Sequence, residues 1–202
     1  MESLIERARS FPTRVADGRT LRRLASGQSP QALFVTCSDS RVVPALITGA
    51  APGDLFELRT AGNIVPPYPR GDRPSGEAAT IEYAVEVLGV RDIVVCGHSH
   101  CGAVTAMLRP DHLDAVPAAV RSWLADSAAA LRAGESATEV FDPAVAAPGQ
   151  RHVLAQVARL RGYPGVARRV REGSLRLRAW FYEVHTGLVL AHRPDGDVFL
   201  PL

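Results

Sequence analysis

Two short apolar runs, each followed by a cluster of polar and metal-binding residues, constrain the fold of this chain more than any other feature. The first run, 32–36, precedes the sequence CSDSR at 37–41, and the second, 92–95, precedes CGHSHCG at 96–102. Short β-branched runs of this kind are typical of buried strands. In open α/β sheets, functional groups lie just beyond the carboxyl ends of the strands. We therefore expect both clusters at one edge of a sheet.

The order of strand and helix patterns predicts an α/β fold. A helical spacing of apolar residues in 77–88 separates the strand-like runs, and a strand, helix, strand order implies right-handed parallel crossovers. We expect a mostly parallel central β-sheet flanked by helices, with an N-terminal helical arm (1–26) and a C-terminal strand region, in a single domain over 1–202. The predicted strands are 32–37, 55–59, 92–96, 175–184, 188–193 and 198–200.

Proline and glycine set the predicted boundaries between these elements. The helical arm is expected to break near Pro12 and Gly18, and the proline- and glycine-rich segment 61–76 is expected to be a loop. Segment 135–149 has little pattern and is interpreted as a linker. Further helices are predicted at 103–108, 115–133, about 150–161 and 164–172.

The composition is that of an ordinary globular protein. Of 202 residues, 47% are hydrophobic and 22% are charged, and the formal net charge is +2. All 23 basic residues are arginine, and 21 acidic residues balance them. This balance gives no reason to expect a nucleic-acid partner, so the arginine-rich stretch 159–178 is interpreted as a solvated helix and strand face.

The cysteines and the N-terminal sequence favour a reducing compartment. Three cysteines do not make a disulfide framework, and two of them lie close to a histidine in the sequence. The N-terminus lacks the apolar core of a signal peptide, and no apolar run approaches about 18 residues. We expect a soluble cytoplasmic protein without membrane insertion.

Cys37, His98 and Cys101 form a candidate zinc site. Thiolate and imidazole match the borderline softness of Zn²⁺, and the His-x-x-Cys spacing allows both side chains to point into one small volume. Strand pairing has to bring the distant Cys37 to them. Three protein ligands with an open position are typical of catalytic zinc, so we expect one Zn²⁺ per chain.

Asp39 and Arg41 are candidate catalytic residues, because a purely structural zinc site would not need them. Two residues beyond a ligand, a carboxylate can either bind the metal or accept a proton beside it while a guanidinium holds it. The planar fork of arginine matches a carboxylate and stays charged. Both roles of Asp39 remain open at this point.

Several motifs together resemble the β-class carbonic anhydrases. They are GQSP at 27–30, CSDSR at 37–41, IEYA at 81–84 and, about 60 residues after the first cysteine, HSHC at 98–101. The resemblance runs through most of the chain and is loose only over 109–149. It implies an enzyme that reversibly hydrates carbon dioxide to bicarbonate and a proton, in which zinc-bound hydroxide attacks the substrate.

The same resemblance implies a substrate cleft and an oligomer. Matching positions place Gln28, Phe56, Ala61, Tyr83 and Gly102 in the cleft. The equivalents of Gln28 and Tyr83 tend to reach across a dimer interface, so a homodimer or larger homo-oligomer is expected. Phe34 stands where the bicarbonate-inhibited subtype has tryptophan, which favours the plant-like subtype with water on zinc.

Two alternative functions remain compatible with the sequence. The same zinc site could serve a hydrolase of CS2 or COS, and Ala61 is the residue that would first distinguish such a cleft. Alternatively, the chain could be a zinc-stabilised regulatory protein without turnover, in which Asp39 occupies the fourth zinc position at every pH.

Overall fold

A single mixed sheet forms the centre of the molecule. The computed structural model describes residues 1–14, 18–69, 75–133 and 146–202. Within these ranges, six strands form one sheet in the order β2-β1-β3-β4-β5-β6. The first four strands in this order are parallel, and the last two are antiparallel. The strands are β1 (Ala32–Cys37), β2 (Leu55–Thr60), β3 (Asp92–His98), β4 (Arg176–Tyr182), β5 (Val189–Arg193) and β6 (Val198–Pro201).

Helices lie before β1 and in the connections between the four parallel strands, as the predicted α/β fold requires. Helix α8 packs on β3 and β4, and α5 packs on α7. A 3₁₀ turn, Ala61–Asn63, follows β2 directly. The helices are α1 (Glu2–Arg14), α2 (Gly18–Ala25), α3 (Pro44–Thr48), α4 (Gly76–Glu82), α5 (Gly102–Leu108), α6 (Pro110–Ala115), α7 (Ala118–Ala133), α8 (Ala147–Leu160) and α9 (Pro164–Arg171).

Both faces of the central strands are covered. All six residues of β1 are buried. Leu33 and Val35 contact the main apolar core, whereas Phe34 packs with Val94 and Cys96 in a separate cluster. This alternation follows from the two-residue period of a strand. Each fully buried aliphatic side chain stabilises the fold by about 1.5–3 kcal/mol.

Strand register places the two sequence clusters at one edge of the sheet. β1 lies between β2 and β3, and Thr36 is opposite Cys96. On the other side, Cys37 is opposite Thr60. Because β1 ends at Cys37 and β3 ends at His98, the segments that follow these parallel strands leave the sheet next to each other. The predicted convergence at the carboxyl edge is confirmed.

Some element boundaries differ from the predictions for local reasons. Helix α1 continues past Pro12 to Arg14 and does not break at the proline. The predicted helix 115–133 corresponds to α7, which begins only at Ala118, after Pro117, and a separate short helix, α6, precedes it. Most of the predicted linker 135–149 lies outside the described residues. No helix in the described ranges is long and apolar enough to cross a membrane.

The predicted helix 77–88 changes its winding halfway. Ser75 caps α4 by accepting a hydrogen bond from the amide of Ala78, as its position in the sequence predicted. From Tyr83 to Val87 the chain forms a π-helical turn, in which the amide of Leu88 donates to the carbonyl of Tyr83. Gly89, with a φ of 67°, ends the segment in the left-handed region that favours glycine.

Candidate metal centre

Three buried side chains meet at the carboxyl edge of the sheet. Cys37 is the last residue of β1, His98 is the last residue of β3, and Cys101 immediately precedes α5. Their ligand atoms all lie within 4.8 Å of one another, and the two sulfur atoms are 3.9 Å apart. The exposed fractions of Cys37, His98 and Cys101 are 6%, 2% and 5%.

The histidine presents an unused lone pair to this cluster. Nδ1 of His98 lies 2.8 Å from the carbonyl oxygen of Ser99, which can only accept, so Nδ1 holds the proton. Nε2 is buried and has no hydrogen-bond partner among the described residues. A buried polar atom without a partner is costly, and coordination of a metal ion would satisfy it. Two sulfurs and one imidazole nitrogen fit Zn²⁺, so these side chains are positioned to bind one zinc ion.

A hydrogen bond between the two thiols shifts their pKa values in opposite directions. The Cys101 thiol donates to Cys37, which lowers the pKa of Cys37 to about 4 even though burial opposes ionisation. The same hydrogen bond, together with burial, raises the pKa of Cys101 well above its usual value. Thiolate is the form of cysteine that binds metals. Even without a metal ion, the pair therefore favours one thiolate at neutral pH.

Asp39 and Arg41 form a two-point ion pair beside the cluster. Nε of Arg41 donates to Oδ1 of Asp39 at 2.9 Å, and Nη2 donates to Oδ2 at 2.7 Å. The backbone amide of Arg41 also donates to Oδ1. These bonds hold the pKa of Asp39 well below its usual range. Oδ2 is 3.9 Å from Nε2 of His98, so the ionised carboxylate lies next to the candidate ligands.

Arg59 holds the turn between Cys37 and Arg41, and the sequence analysis did not identify it as part of the site. Its guanidinium donates to the carbonyl oxygens of Cys37, Asp39 and Val42 at 2.9, 2.8 and 2.7 Å. One cation therefore fixes three peptide groups of the turn. The position of Arg59 at the end of a predicted strand was the available signal for its role. A partly buried cation needs hydrogen-bond acceptors nearby, and the turn after β1 supplies them.

Comparison with known proteins identifies the family. A family model described as carbonic anhydrase matches residues 32–189. Carbonic anhydrase 1 of Escherichia coli O157:H7 is 44% identical over 195 residues, covering 96% of this chain and 86% of that protein. The solved structure of the β-carbonic anhydrase CcaA is 36% identical, with a TM-score of 0.88, and covers 100% of this chain and 99% of that one.

This chain belongs to the β-class carbonic anhydrases. Two tetrameric β-carbonic anhydrases from Sordaria macrospora extend the comparison to fungi, with 30% identity and a TM-score of 0.73 over 87% of this chain and 86% of that one. The membership agrees with the resemblance seen in the sequence, and the zinc ligand set of a β-carbonic anhydrase is assembled at the edge of the sheet.

Two of the five predicted cleft residues lie beside the zinc ligands of this carbonic anhydrase. Gly102 directly follows Cys101 and begins α5. Ala61 precedes Gly62, whose amide donates to Sγ of Cys37 at 3.4 Å. Gly62 has a φ of 75°, and a Cβ added there would lie 3.0 Å from Cβ of Ala103. The close approach of this loop to the sulfur therefore depends on glycine.

The other three predicted cleft residues lie towards the opposite end of the sheet in a single chain. Phe56 is opposite Leu33, four residues before Cys37, which is about 13 Å along the strand. Tyr83 packs against Phe56, with ring centroids 5.9 Å apart. Gln28 precedes β1 and lines a separate cavity of about 350 Å³. Their role in the cleft stays a prediction, and it requires that they reach the zinc ligands of a second chain.

Proposed function

We propose that this β-carbonic anhydrase catalyses the reversible hydration of carbon dioxide to bicarbonate and a proton, with one zinc ion on Cys37, His98 and Cys101. The convergence of these three side chains within 4.8 Å, next to an ionised Asp39, is the observation that supports the proposal most directly. Three protein ligands are the number typical of catalytic rather than structural zinc.

The chain's own residues provide the acid–base part of this chemistry. Zinc, when bound, would supply Lewis-acid activation of a water molecule near neutral pH. Asp39 is charged and lies beside the ligands, so its Oδ2 atom can accept a hydrogen bond from water at the site and orient the remaining lone pair toward the substrate. Arg41 keeps that carboxylate ionised and fixes its direction.

Arg41 also connects the two ligand segments. Its Nη2 atom donates to the carbonyl oxygen of His100 at 3.1 Å while it binds Asp39. The segment after β1 and the segment after β3 are therefore tied together by one guanidinium, which is charged at any working pH. We infer that this connection keeps Asp39 at a constant distance from the zinc ligands.

We assign the chain to the plant-like subtype, in which water rather than Asp39 completes the zinc site. The two-point ion pair supports this choice, because moving Asp39 onto a metal ion would break charge-assisted hydrogen bonds of 2.9 and 2.7 Å. Phe34, in the position that distinguishes the subtypes, is 1% exposed and packs edge-on against Trp180.

A second copy of the chain completes the proposed cleft. Gln28, Phe56 and Tyr83 lie too far along the sheet to line the same cavity as their own chain's ligands, so we propose that Gln28 and Tyr83 act at a neighbouring chain's site. Helix α1 supports this assembly, because Leu4 and Phe11 are 61% and 44% exposed and lie on one helix face. The Sordaria macrospora enzymes are described as tetrameric.

The proposed compartment is the cytoplasm. Cys37, Cys96 and Cys101 are all free thiols and all buried. A zinc site built on two thiolates is lost when those sulfurs are oxidised, so a reducing compartment suits it.

Zinc stoichiometry and stopped-flow proton release from carbon dioxide test the proposed function together. The purified protein should contain one zinc ion per chain and release protons on mixing with carbon dioxide, whereas Cys37→Ser should do neither. Zinc without turnover would support a regulatory protein instead. Faster turnover of CS2 or COS than of carbon dioxide, measured side by side, would support the alternative hydrolase.

A further inference from the structure

One face of helix α8 binds the loop that follows β2. His152, Gln156 and Arg159 recur at helical spacing in α8, so they lie on the same side of the helix, and Tyr163 lies in the turn between α8 and α9. Each hydrogen-bonds a backbone group of that loop. The bonds join His152 Nε2 to Gly62 O (2.8 Å), Val65 N to Gln156 Oε1 (2.9 Å), Arg159 Nη1 to Val65 O (3.1 Å) and Tyr163 Oη to Pro66 O (2.9 Å).

The first peptide group of this loop touches a zinc ligand. The amide of Gly62 donates to Sγ of Cys37 at 3.4 Å. The carbonyl of the same peptide group, that of Ala61, accepts from Nε1 of Trp123 at 2.9 Å. Trp123 and Cys37 therefore bind opposite ends of one peptide group, and hydrogen bonds in such a chain strengthen one another.

The hydrogen-bond network fixes the proton of His152. The amide of Val65 can only donate, so Oε1 of Gln156 must accept from it, and the amide nitrogen of Gln156 points to Nδ1 of His152 at 3.4 Å. Nδ1 is then an acceptor, and Nε2 holds the proton that it donates to the Gly62 carbonyl. Burial lowers the pKa of His152 to about 4, which keeps the ring neutral in this arrangement.

We propose that His152 and Trp123 are positioning residues that hold the Gly62 amide on the sulfur of Cys37 and so tune the zinc thiolate. The inference rests on Cys37 being a zinc ligand, as in the proposed function. A hydrogen bond to a thiolate ligand withdraws charge from the sulfur and reduces its donation to the metal. His152 acts on the carbonyl of Gly62, and Trp123 acts on the carbonyl of Ala61, so the two side chains hold the Gly62 residue from both sides.

The burial of the network argues that the loop is held in one place. His152 and Gln156 are each 1% exposed, and burying two polar side chains is costly unless their bonds are made. Their partners are backbone groups of one loop rather than each other alone. Gly62 has a φ of 75° and, as a glycine, could adopt many other backbone conformations. It therefore needs such support to stay in this one.

Cobalt substitution provides the test. In the Co²⁺-loaded protein, Trp123→Phe and His152→Phe should shift the thiolate-to-cobalt charge-transfer band to longer wavelength, because the sulfur regains electron density. Tyr163→Phe removes a bond to the same loop at Pro66, made from the turn that follows α8, and it should leave the band unchanged.

Each outcome decides for or against the inference. Unchanged bands in folded Trp123→Phe and His152→Phe proteins would overturn it, as would an equal shift in Tyr163→Phe, which would indicate general loosening of the loop. Should His152→Phe fail to fold, Trp123→Phe decides alone, because this side chain is only partly buried. If the unmodified protein binds neither Zn²⁺ nor Co²⁺ through thiolate, the proposed function itself fails.

Discussion

Oδ2 of Asp39 lies 3.9 Å from Nε2 of His98, yet the same oxygen accepts a 2.7 Å hydrogen bond from Arg41. The carboxylate is thus adjacent to the candidate zinc ligands while a cation holds it. We propose that this carboxylate handles a proton beside the metal ion and does not serve as a fourth ligand. A substitution of Asp39 can therefore test catalysis without removing a zinc ligand.

Asp39→Asn should separate catalysis from zinc binding. Asparagine is similar in size, but it has no negative charge to pair with Arg41 and it cannot accept a proton. We therefore expect kcat/KM for carbon dioxide hydration to fall by roughly 10²-fold or more. Zinc content by mass spectrometry should be unchanged. Asp111 pairs with Arg109 at the same spacing but on the surface, at 3.4 Å, and Asp111→Asn is the matched control that should keep full activity.

The three cysteines should differ in their importance for zinc. Cys37→Ser and Cys101→Ser should each lose most of the bound zinc, because thiolates are the softer ligands. Cys96 packs in a separate apolar cluster with Phe34, and burial raises its pKa to about 12. Cys96→Ala should keep one zinc ion per chain at a stability cost of about 1 kcal/mol. Zinc loss in Cys96→Ala would contradict the assignment.

Arg59→Met should destabilise the protein more than substitutions of partly buried residues usually do. It removes the donor of three backbone carbonyls around the turn after β1 and keeps most of the aliphatic length. We expect a loss of roughly 2–4 kcal/mol in the free energy of unfolding by urea titration. Arg121 makes one long surface contact with Asp114 at 3.8 Å, and Arg121→Met should cost less than about 0.5 kcal/mol.

Stability should depend on the protonation of His152 in mild acid. Burial lowers its pKa in the folded protein from the usual 6.5 to about 4, so the unfolded chain takes up the proton first as the pH falls. His152 therefore favours unfolding progressively between those two values, by about 3 kcal/mol at the acid end, and has no effect above them. The pH dependence of unfolding should be shallower in His152→Asn. Equal slopes would indicate that the histidine is protonated in the folded state.

Helix α1 should be needed for assembly. Leu4, Ala8 and Phe11 form one apolar face, so the double variant Leu4→Glu/Phe11→Glu should lower the mass of the particle in sedimentation velocity experiments. Activity should fall with it, since Gln28 and Tyr83 act across chains in the proposed cleft. Ser10→Glu/Thr13→Glu adds the same charge to the other side of α1 and should leave the assembly intact. An unchanged mass for both variants would place the interface elsewhere.

The sequence was sufficient to predict those features for which the local residue pattern and the side-chain chemistry agree. Apolar runs predicted β1 and β3, and the soft ligands after them predicted where the zinc site lies. The family membership follows from motifs that are visible without a structure. Element ends were less certain, as with the π-helical turn after Glu82, because such turns depend on packing more than on residue preference.

The sequence did not identify the residues that support the site. Arg59 and His152 act on backbone carbonyls far away in the chain, and nothing in a sequence states which carbonyl a side chain will meet. Trp123 is a similar case, since its indole reaches a loop 62 residues away. Hydrogen bonds to backbone groups leave no residue-type signature on the acceptor, so spacing arguments do not find them.

By itself, the sequence determined the class of the fold, the identities of the zinc ligands and the chemistry those ligands can support, because strand periodicity and ligand softness are properties of the residues themselves. Only the tertiary structure decided that Arg41 holds Asp39 beside His98, and that Gly62 meets Cys37 through its amide and α8 through its carbonyl. Those relationships depend on parallel register and on the close packing of a helix against a loop, which arise when distant parts of the chain are brought together.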